Sequence, residues 1–242
     1  MQELIFTKEF QIDATRADRW GRLAPTALLE CMQAASTDHA ELLGVGRESL
    51  LQHNLFWAVA RQQVEVLRLP VIGETLTIET WPGEASRVAH PRFLVGRCGE
   101  ETVFRGAAIW LFMNVETREM ILPQASGLRL NGITRGGEIA LPRSIAPRPY
   151  ANETRRTVRY SELDCNGHLN NARYLSWAED LLPAAWHREH VPSMLRICYL
   201  NEALEGQEID LHWALEDDAL HLEANAGHRV FALQANYKKV ED

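Results

Sequence analysis

Apolar residues recur in two rhythms along the chain, and the switches between them outline its elements. Residues 4–12, 56–67, 75–81, 92–97 and 103–113 are β-rich, with apolar side chains such as Leu76 and Ile78 two positions apart. That period turns one face of a sheet toward a core. Between the first two runs, at 25–43, Leu28, Leu29, Met32, Ala35, Leu42 and Leu43 recur at helical spacing, which predicts a long helix. The order then repeats, with a strand at 154–160, a helix at about 171–187, and strands at 194–199, 208–213, 219–223 and 228–237. Both halves predict a strand, a long helix and then several antiparallel strands, so the fold class is α+β.

The halves meet in a stretch with neither rhythm. Between Gly132 and Pro149 lie Gly136, Gly137, Pro142 and Pro147, residues that interrupt helices and strands alike. This divides the chain into an N-terminal domain at 1–133, a linker at 134–150 and a C-terminal domain at 151–242. Short blocks of the two halves also match. Asp18-Arg19-Trp20-Gly21-Arg22-Leu23 lies over Asp164-Cys165-Asn166-Gly167-His168-Leu169, each just ahead of its helix. Gly73-Glu74-Thr75-Leu76-Thr77-Ile78 lies over Gly206-Gln207-Glu208-Ile209-Asp210-Leu211. Their common order reads as an internal duplication. In the first copy Trp20 stands where Asn166 does and Arg22 where His168 does, so the second copy reads as catalytic and the first as structural.

Composition narrows the class of protein. With 46% hydrophobic and 24% charged residues, the chain suits a globular protein with a sizeable core. No apolar run is long enough for a membrane helix, and no secretory signal pattern opens the sequence. The four cysteines (Cys31, Cys98, Cys165 and Cys198) form no C-x-x-C pair, and glycine-rich phosphate loops are absent. A reduced, cytoplasmic protein without metal or cofactor is therefore expected. The net charge of −8 argues against nucleic acid as a partner. Against that background Arg135, Arg143, Arg148, Arg155, Arg156 and Arg159 face only Glu138 and Glu153 in the same stretch. Such a segment could steer an anionic partner, or could be an edge strand guarded by charge.

The densest chemistry follows at once, in Asp164-Cys165-Asn166-Gly167-His168-Leu169-Asn170-Asn171-Ala172-Arg173-Tyr174. An acid and an imidazole can move protons, while amides and backbone N–H groups can hold a polarised oxygen. Residues of the same types also cap helices and turns, an alternative that applies most to Asp164, Asn170 and Asn171. Tyr174 reads as core packing with a hydrogen-bonded hydroxyl. Cys165, three residues from His168, offers a rival thiolate nucleophile. Adjacent side chains of an extended loop point opposite ways, which turns Cys165 away from Asp164 and Asn166.

The spacing Asp164-x-Asn166-x-His168-x-Asn170-Asn171-x-x-Tyr174 resembles the active-site motif of acyl–acyl carrier protein (ACP) thioesterases of plants and bacteria. Those enzymes carry a functional glutamate, often with a cysteine, at the end of a tyrosine-containing strand, and Tyr199-Leu200-Asn201-Glu202-Ala203 matches that place. Ala203 stands where many relatives have cysteine, which leaves Glu202 as the surviving partner. The resemblance implies a tandem (double) hotdog, two antiparallel sheets each wrapped around a central helix. It also implies hydrolysis of fatty acyl-ACP to free fatty acid, with ACP as the partner.

On this reading His168 and Glu202 activate or orient the water, Glu202 being favoured as the base. Asn166 positions the carbonyl or the water, and Asp164 orients His168 as the acid of a triad does. Backbone N–H groups at the helix start, near Asn170 and Asn171, are candidates for the oxyanion. Leu28 and Met32 of the first copy would line the acyl slot, and Arg155 and Arg156 would meet the carrier protein. An acyl-CoA thioesterase or a non-catalytic acyl-thioester-binding protein are the alternatives. Monomer and homodimer are both compatible with the composition.

Overall fold

The computed structural model describes residues 4–240, which form two compact units, one up to Pro142 and one from Arg143 onward. The first unit opens with β1 (Phe6–Gln11), α1 (Pro25–Leu42), α2 (Arg47–Gln52) and β2 (Leu55–Val66). It continues with β3 (Thr75–Pro82), β4 (His90–Cys98), β5 (Glu101–Asn114) and the short β6 (Met120–Ile121). Its sheet is antiparallel in the order β1-β3-β4-β5-β2, with β6 beside β5. The second unit contains β7 (Asn152–Thr157), α3 (Arg173–Glu179), α4 (Ala184–Glu189), β8 (His190–Tyr199), β9 (Glu208–Glu216), β10 (Ala219–Asn225) and β11 (Arg229–Lys239). Its order is β7-β9-β10-β11-β8, again antiparallel. The two orders are the same path walked twice, which is the duplication read from the sequence blocks.

In the first unit α1 forms as its pattern predicts. Pro25 takes the first helical position, where its missing N–H is not needed, and Gly44 leaves the helix with φ +74°. Its 18 residues span about 27 Å. Leu28, Leu29, Met32, Ala35, Ser36, His39 and Ala40 are buried along one stripe. Met32 meets the sheet where Gly106 on β5 lacks a side chain: a Cβ there would lie 2.8 Å from Met32 Cε.

The second unit departs from the expected single helix at 171–187. α3 closes after Glu179, and Pro183 caps the separate α4. Proline cannot donate to the preceding turn, and it drives Leu182 out of helical geometry. His187 bridges the break, its Nε2 lying 2.9 Å from Glu179 O. α2 and β6, both short, were not foreseen from the pattern. Along β10 Leu220, Leu222 and Ala224 are fully buried at alternate positions, as the two-residue period requires.

The segment at 134–150 is docked to both units in turn. Trp81 Nε1 donates to Arg135 O at 3.2 Å, and Ile139 packs with Trp81, Val95 and Ala107. From Arg143 onward the chain belongs to the second unit, with Cys198 Sγ 3.6 Å from Arg143 O and Arg229 Nη2 donating to Ile145 O at 3.3 Å.

Candidate active site

Asp164 shapes the loop that presents the polar residues. Its carboxylate Oδ1 accepts the backbone N–H of Asn166 at 2.8 Å and that of His168 at 3.2 Å. Its own N–H donates to His168 O at 2.7 Å, and Gly167 closes the turn onto Asp164 O at 3.1 Å with φ +79°. That conformation favours glycine. The expectation that Asp164 orients the His168 ring is therefore corrected. The acid holds the backbone that carries the ring, because an Asp two residues before an N–H reaches that N–H more readily than a distant imidazole.

The corresponding loop of the first unit has the same backbone. Asp18 Oδ1 accepts from Trp20 N–H at 2.8 Å and from Arg22 N–H at 3.0 Å, Asp18 N–H donates to Arg22 O at 2.6 Å, and Gly21 has φ +78°. Leu23 N–H reaches Pro70 O as Leu169 N–H reaches Ala203 O. Arg22 bridges to Val71 as His168 bridges to Leu204. This register puts buried Leu69 at the place of Glu202. In the first copy Arg22 folds back on Asp18, with Nε to Oδ2 at 2.9 Å, and lies over the Trp20 ring. The brace survives there without the chemistry.

In the second unit the His168–Leu204 bridge brings Glu202 beside the imidazole. His168 Nε2 lies 3.2 Å from Glu202 Oε2. The His168 side chain is 13% exposed and that of Glu202 41%, so the carboxylate is open to water while the ring is held. An ionised carboxylate only accepts, so a hydrogen bond across this contact takes its proton from Nε2 of His168. Asn166 is exposed beside them, its amide 3.4 Å from Asp164 Oδ2. Asp164, Asn166, His168 and Glu202 are thus assembled in one place, although α3, α4 and β8 separate Glu202 from the loop in sequence.

The helix entry is used more heavily than expected. Asn170 Oδ1 accepts Ala172 N–H at 2.9 Å, and Asn170 N–H donates to Glu162 O at 2.9 Å. The Asn170 N–H is therefore committed and is not an oxyanion donor. The Asn171 N–H has no partner among the described residues, while its carbonyl accepts the Tyr199 hydroxyl at 3.2 Å.

Glu162 was missed in the sequence. Its carboxylate accepts Trp177 Nε1–H at 2.7 Å and Arg159 N–H at 2.8 Å, riveting the loop to α3. Trp177 is fully buried, and a buried indole needs an acceptor. That need was the available signal. Tyr174 packs in the core against Phe231 and Tyr199, as expected. Burial pushes its hydroxyl pKa well above the ordinary range, and the Asp164 and Glu202 charges add to the rise. It stays a neutral phenol within reach of their field.

The arginine-rich stretch is not an open cationic patch. Arg155 pairs with Asp210 and Glu208, and Arg156 pairs with Asp180 at 2.7 Å and lies over Trp177. Arg148 pairs with Glu216, and Arg135 with Glu79 at 2.6 Å. These acids lie 24 to 68 residues away from their arginines, which hid the pairing from a local count of charge. Arg143 and Arg159 remain exposed. Leu28 and Met32 lie on the sheet-facing stripe of α1, each 1% exposed. Cys165 is exposed.

Comparison with known proteins places the chain in a family. The family model for the acyl-ACP thioesterase N-terminal domain matches residues 3–122, and that for the C-terminal domain matches 147–239. A palmitoyl-acyl carrier protein thioesterase from Arabidopsis thaliana chloroplasts is 29% identical over 79% of this chain and 50% of its own length. A dodecanoyl-[acyl-carrier-protein] hydrolase from Cinnamomum camphora is 27% identical over 82% and 56%. The chain spans about half the length of the curated relatives it matches. Among solved structures, a 12:0-ACP thioesterase from Umbellularia californica superposes with a TM-score of 0.84 at 21% identity, covering 99% of each chain. An acyl-ACP thioesterase from Bacteroides thetaiotaomicron gives 0.80 at 21%, covering 97% of this chain and 98% of that one. These structures share the fold, the tandem hotdog. With both family domains matched in order along nearly the whole sequence, the chain belongs to the acyl-ACP thioesterases.

Proposed function

We propose that the protein hydrolyses fatty acyl-ACP thioesters to free fatty acid and carrier protein, ending chain elongation. The observation that carries this reading is the contact between His168 Nε2 and Glu202 Oε2, 3.2 Å apart on a loop that Asp164 holds in shape. Water adds to the thioester carbonyl while Glu202 takes its proton, the exposed carboxylate serving as general base. His168 donates through Nε2 to that carboxylate and fixes its orientation. Asn166 holds the carbonyl or the water, and the Asn171 N–H is the backbone donor for the oxyanion. Collapse of the tetrahedral adduct breaks the C–S bond, and the phosphopantetheine thiol leaves with the proton. The first unit supplies the apolar interior for the acyl chain, with Leu28 and Met32 in it.

The acyl-CoA thioesterase reading stays beside this one for a specific reason. Four of the six arginines that could steer an anionic partner, Arg155 and Arg156 among them, are already paired within the chain. A cytoplasmic location, as monomer or homodimer, belongs to the same proposal and is supported by four free cysteines. Among the described residues no helix is long and apolar enough to cross a membrane. The test is release of fatty acid from matched acyl-ACP and acyl-CoA thioesters, run with His168→Ala. Preference for the carrier-protein substrates, lost in the variant, supports the reading. Preference for CoA moves the substrate, and no cleavage of either leaves a binding protein.

A further inference from the structure

The interior of the first unit holds polar side chains that this chemistry does not use. His90 and Arg92 lie two residues apart on β4 and share the face that packs on α1, since Arg92 Nη1 reaches His39 Nδ1 at 3.1 Å. The same Nη1 donates to Thr80 Oγ1 at 3.2 Å. Arg92 is 7% exposed. Burial lowers its pKa to about 10 with no carboxylate acting in the other direction, so it remains a cation at neutral pH. His90 is 5% exposed and both its ring nitrogens lack a partner. Directly across on β5, the buried Nε1 of Trp110 lacks one too.

This is a set rich in donors and poor in acceptors. A guanidinium and an indole only donate, and a neutral imidazole donates once. A buried cation and orphaned donors are unfavourable unless something accepts from them. The walls around them are apolar and flat: Trp57 stands edge-on to His90 at 5.1 Å, and Phe112 at 4.7 Å. Such walls suit a methylene chain, and a guanidinium suits the two oxygens of a carboxylate. A plain acyl chain would bring only a methyl group to this place.

We propose that Arg92, with His90 and Trp110, binds a carboxylate at the end of an aliphatic chain, so that ω-carboxyacyl thioesters are the substrate class. The inference rests on the reading that the first unit receives the acyl chain. The carboxylate could also be that of released fatty acid, held as product. The experiment compares kcat/KM for decanoyl-ACP and for the same chain ending in a carboxylate, the sebacoyl half-thioester, in wild type, Arg92→Leu and Arg92→Lys. Calorimetric titration of each protein with sebacate and with decanoate runs alongside.

The expected result is a preference of tenfold or more for the sebacoyl substrate, abolished in Arg92→Leu and partly kept in Arg92→Lys. Arg92-dependent binding of decanoate without that preference overturns the substrate class and leaves a product site. Absence of both overturns the site. If neither thioester is cleaved, the hydrolase reading fails by itself, and calorimetry still decides: Arg92-dependent binding of sebacate supports the site and its absence overturns it. Arg92→Lys retains the charge, so it keeps the test open if Arg92→Leu does not fold.

Discussion

Replacing Asp164 separates two roles for an acid in this site. The carboxylate atom Oδ1 takes both backbone N–H groups, from Asn166 and His168. Asp164→Asn keeps an oxygen that can occupy this position, whereas Asp164→Ala removes it. A backbone bond of this kind contributes about 1 kcal/mol net. Asn166 is exposed, so water can serve its N–H in the alanine variant, while the half-buried His168 N–H is harder to resupply. Asp164→Ala should then cost about 1–2 kcal/mol, a fall of roughly 2–8 °C in Tm for a chain of this size. Asp164→Asn should cost less than about 0.5 kcal/mol and leave kcat within about tenfold of wild type. An acid that oriented the imidazole directly would behave otherwise, since the same exchange in a triad lowers kcat by about 10⁴-fold. Asp18→Ala is the internal control. It removes the same brace plus the Arg22 pair, so it should lower Tm more than Asp164→Ala. Circular dichroism melts and steady-state thioester hydrolysis read both quantities. A thousandfold loss of kcat in Asp164→Asn with an unchanged melt would refute the backbone role.

The remaining expectations are of the same kind. Burial holds His90 neutral and pushes its pKa down to about 4 from 6.5. The unfolded chain takes up that proton first, so the contribution of His90 is whole above pH 6.5 and drains away as pH falls toward 4, by at most about 3 kcal/mol. Melts at pH 7.5 and 4.5 should show a larger fall for wild type than for His90→Phe, and parallel falls would contradict this. Gly106→Val drives a side chain onto Met32 and toward Gln63 O, and should cost about 1–3 kcal/mol in chemical denaturation. Combined with Met32→Ala the losses should be less than additive, by at least about 0.5 kcal/mol. Cys165→Ala should leave kcat within about twofold, as expected of an exposed thiol outside the reaction, whereas a hundredfold loss would revive the thiolate mechanism.

Legibility in the sequence followed the range of each interaction. Strands and α1 were readable because their signals are local: Leu220, Leu222 and Ala224 sit two apart, and Leu28, Met32 and Ala35 sit a helical turn apart. The duplication was readable from Asp18-to-Leu23 over Asp164-to-Leu169, because a tight turn needs its Asp and its Gly at fixed positions. The break before α4 was missed although Pro183 was visible, since the apolar period runs through it. Glu162 was missed because its two partners, Arg159 and Trp177, lie on opposite sides of it, with Trp177 fifteen residues on. For Asp164 the sequence left turn bracing and imidazole orientation both open, because an acid ahead of a tight turn can serve either, and only its two backbone bonds favour the first. Arg155 and Arg156 looked free because Asp210 and Asp180 are distant in sequence.

The first loop carries a consequence for engineering and for descent. Asp18 keeps Gly21 and Arg22 in the pose that Asp164 gives Gly167 and His168, so the two loops share a frame and differ in its contents. Restoring the set would take Trp20→Asn, Arg22→His and Leu69→Glu, and the last is the obstacle. Leu69 is 5% exposed, and a carboxylate there would be stripped of water at a cost of several kcal/mol. The silent copy is therefore sealed as well as emptied. A two-headed version of this fold would first have to let solvent in at position 69.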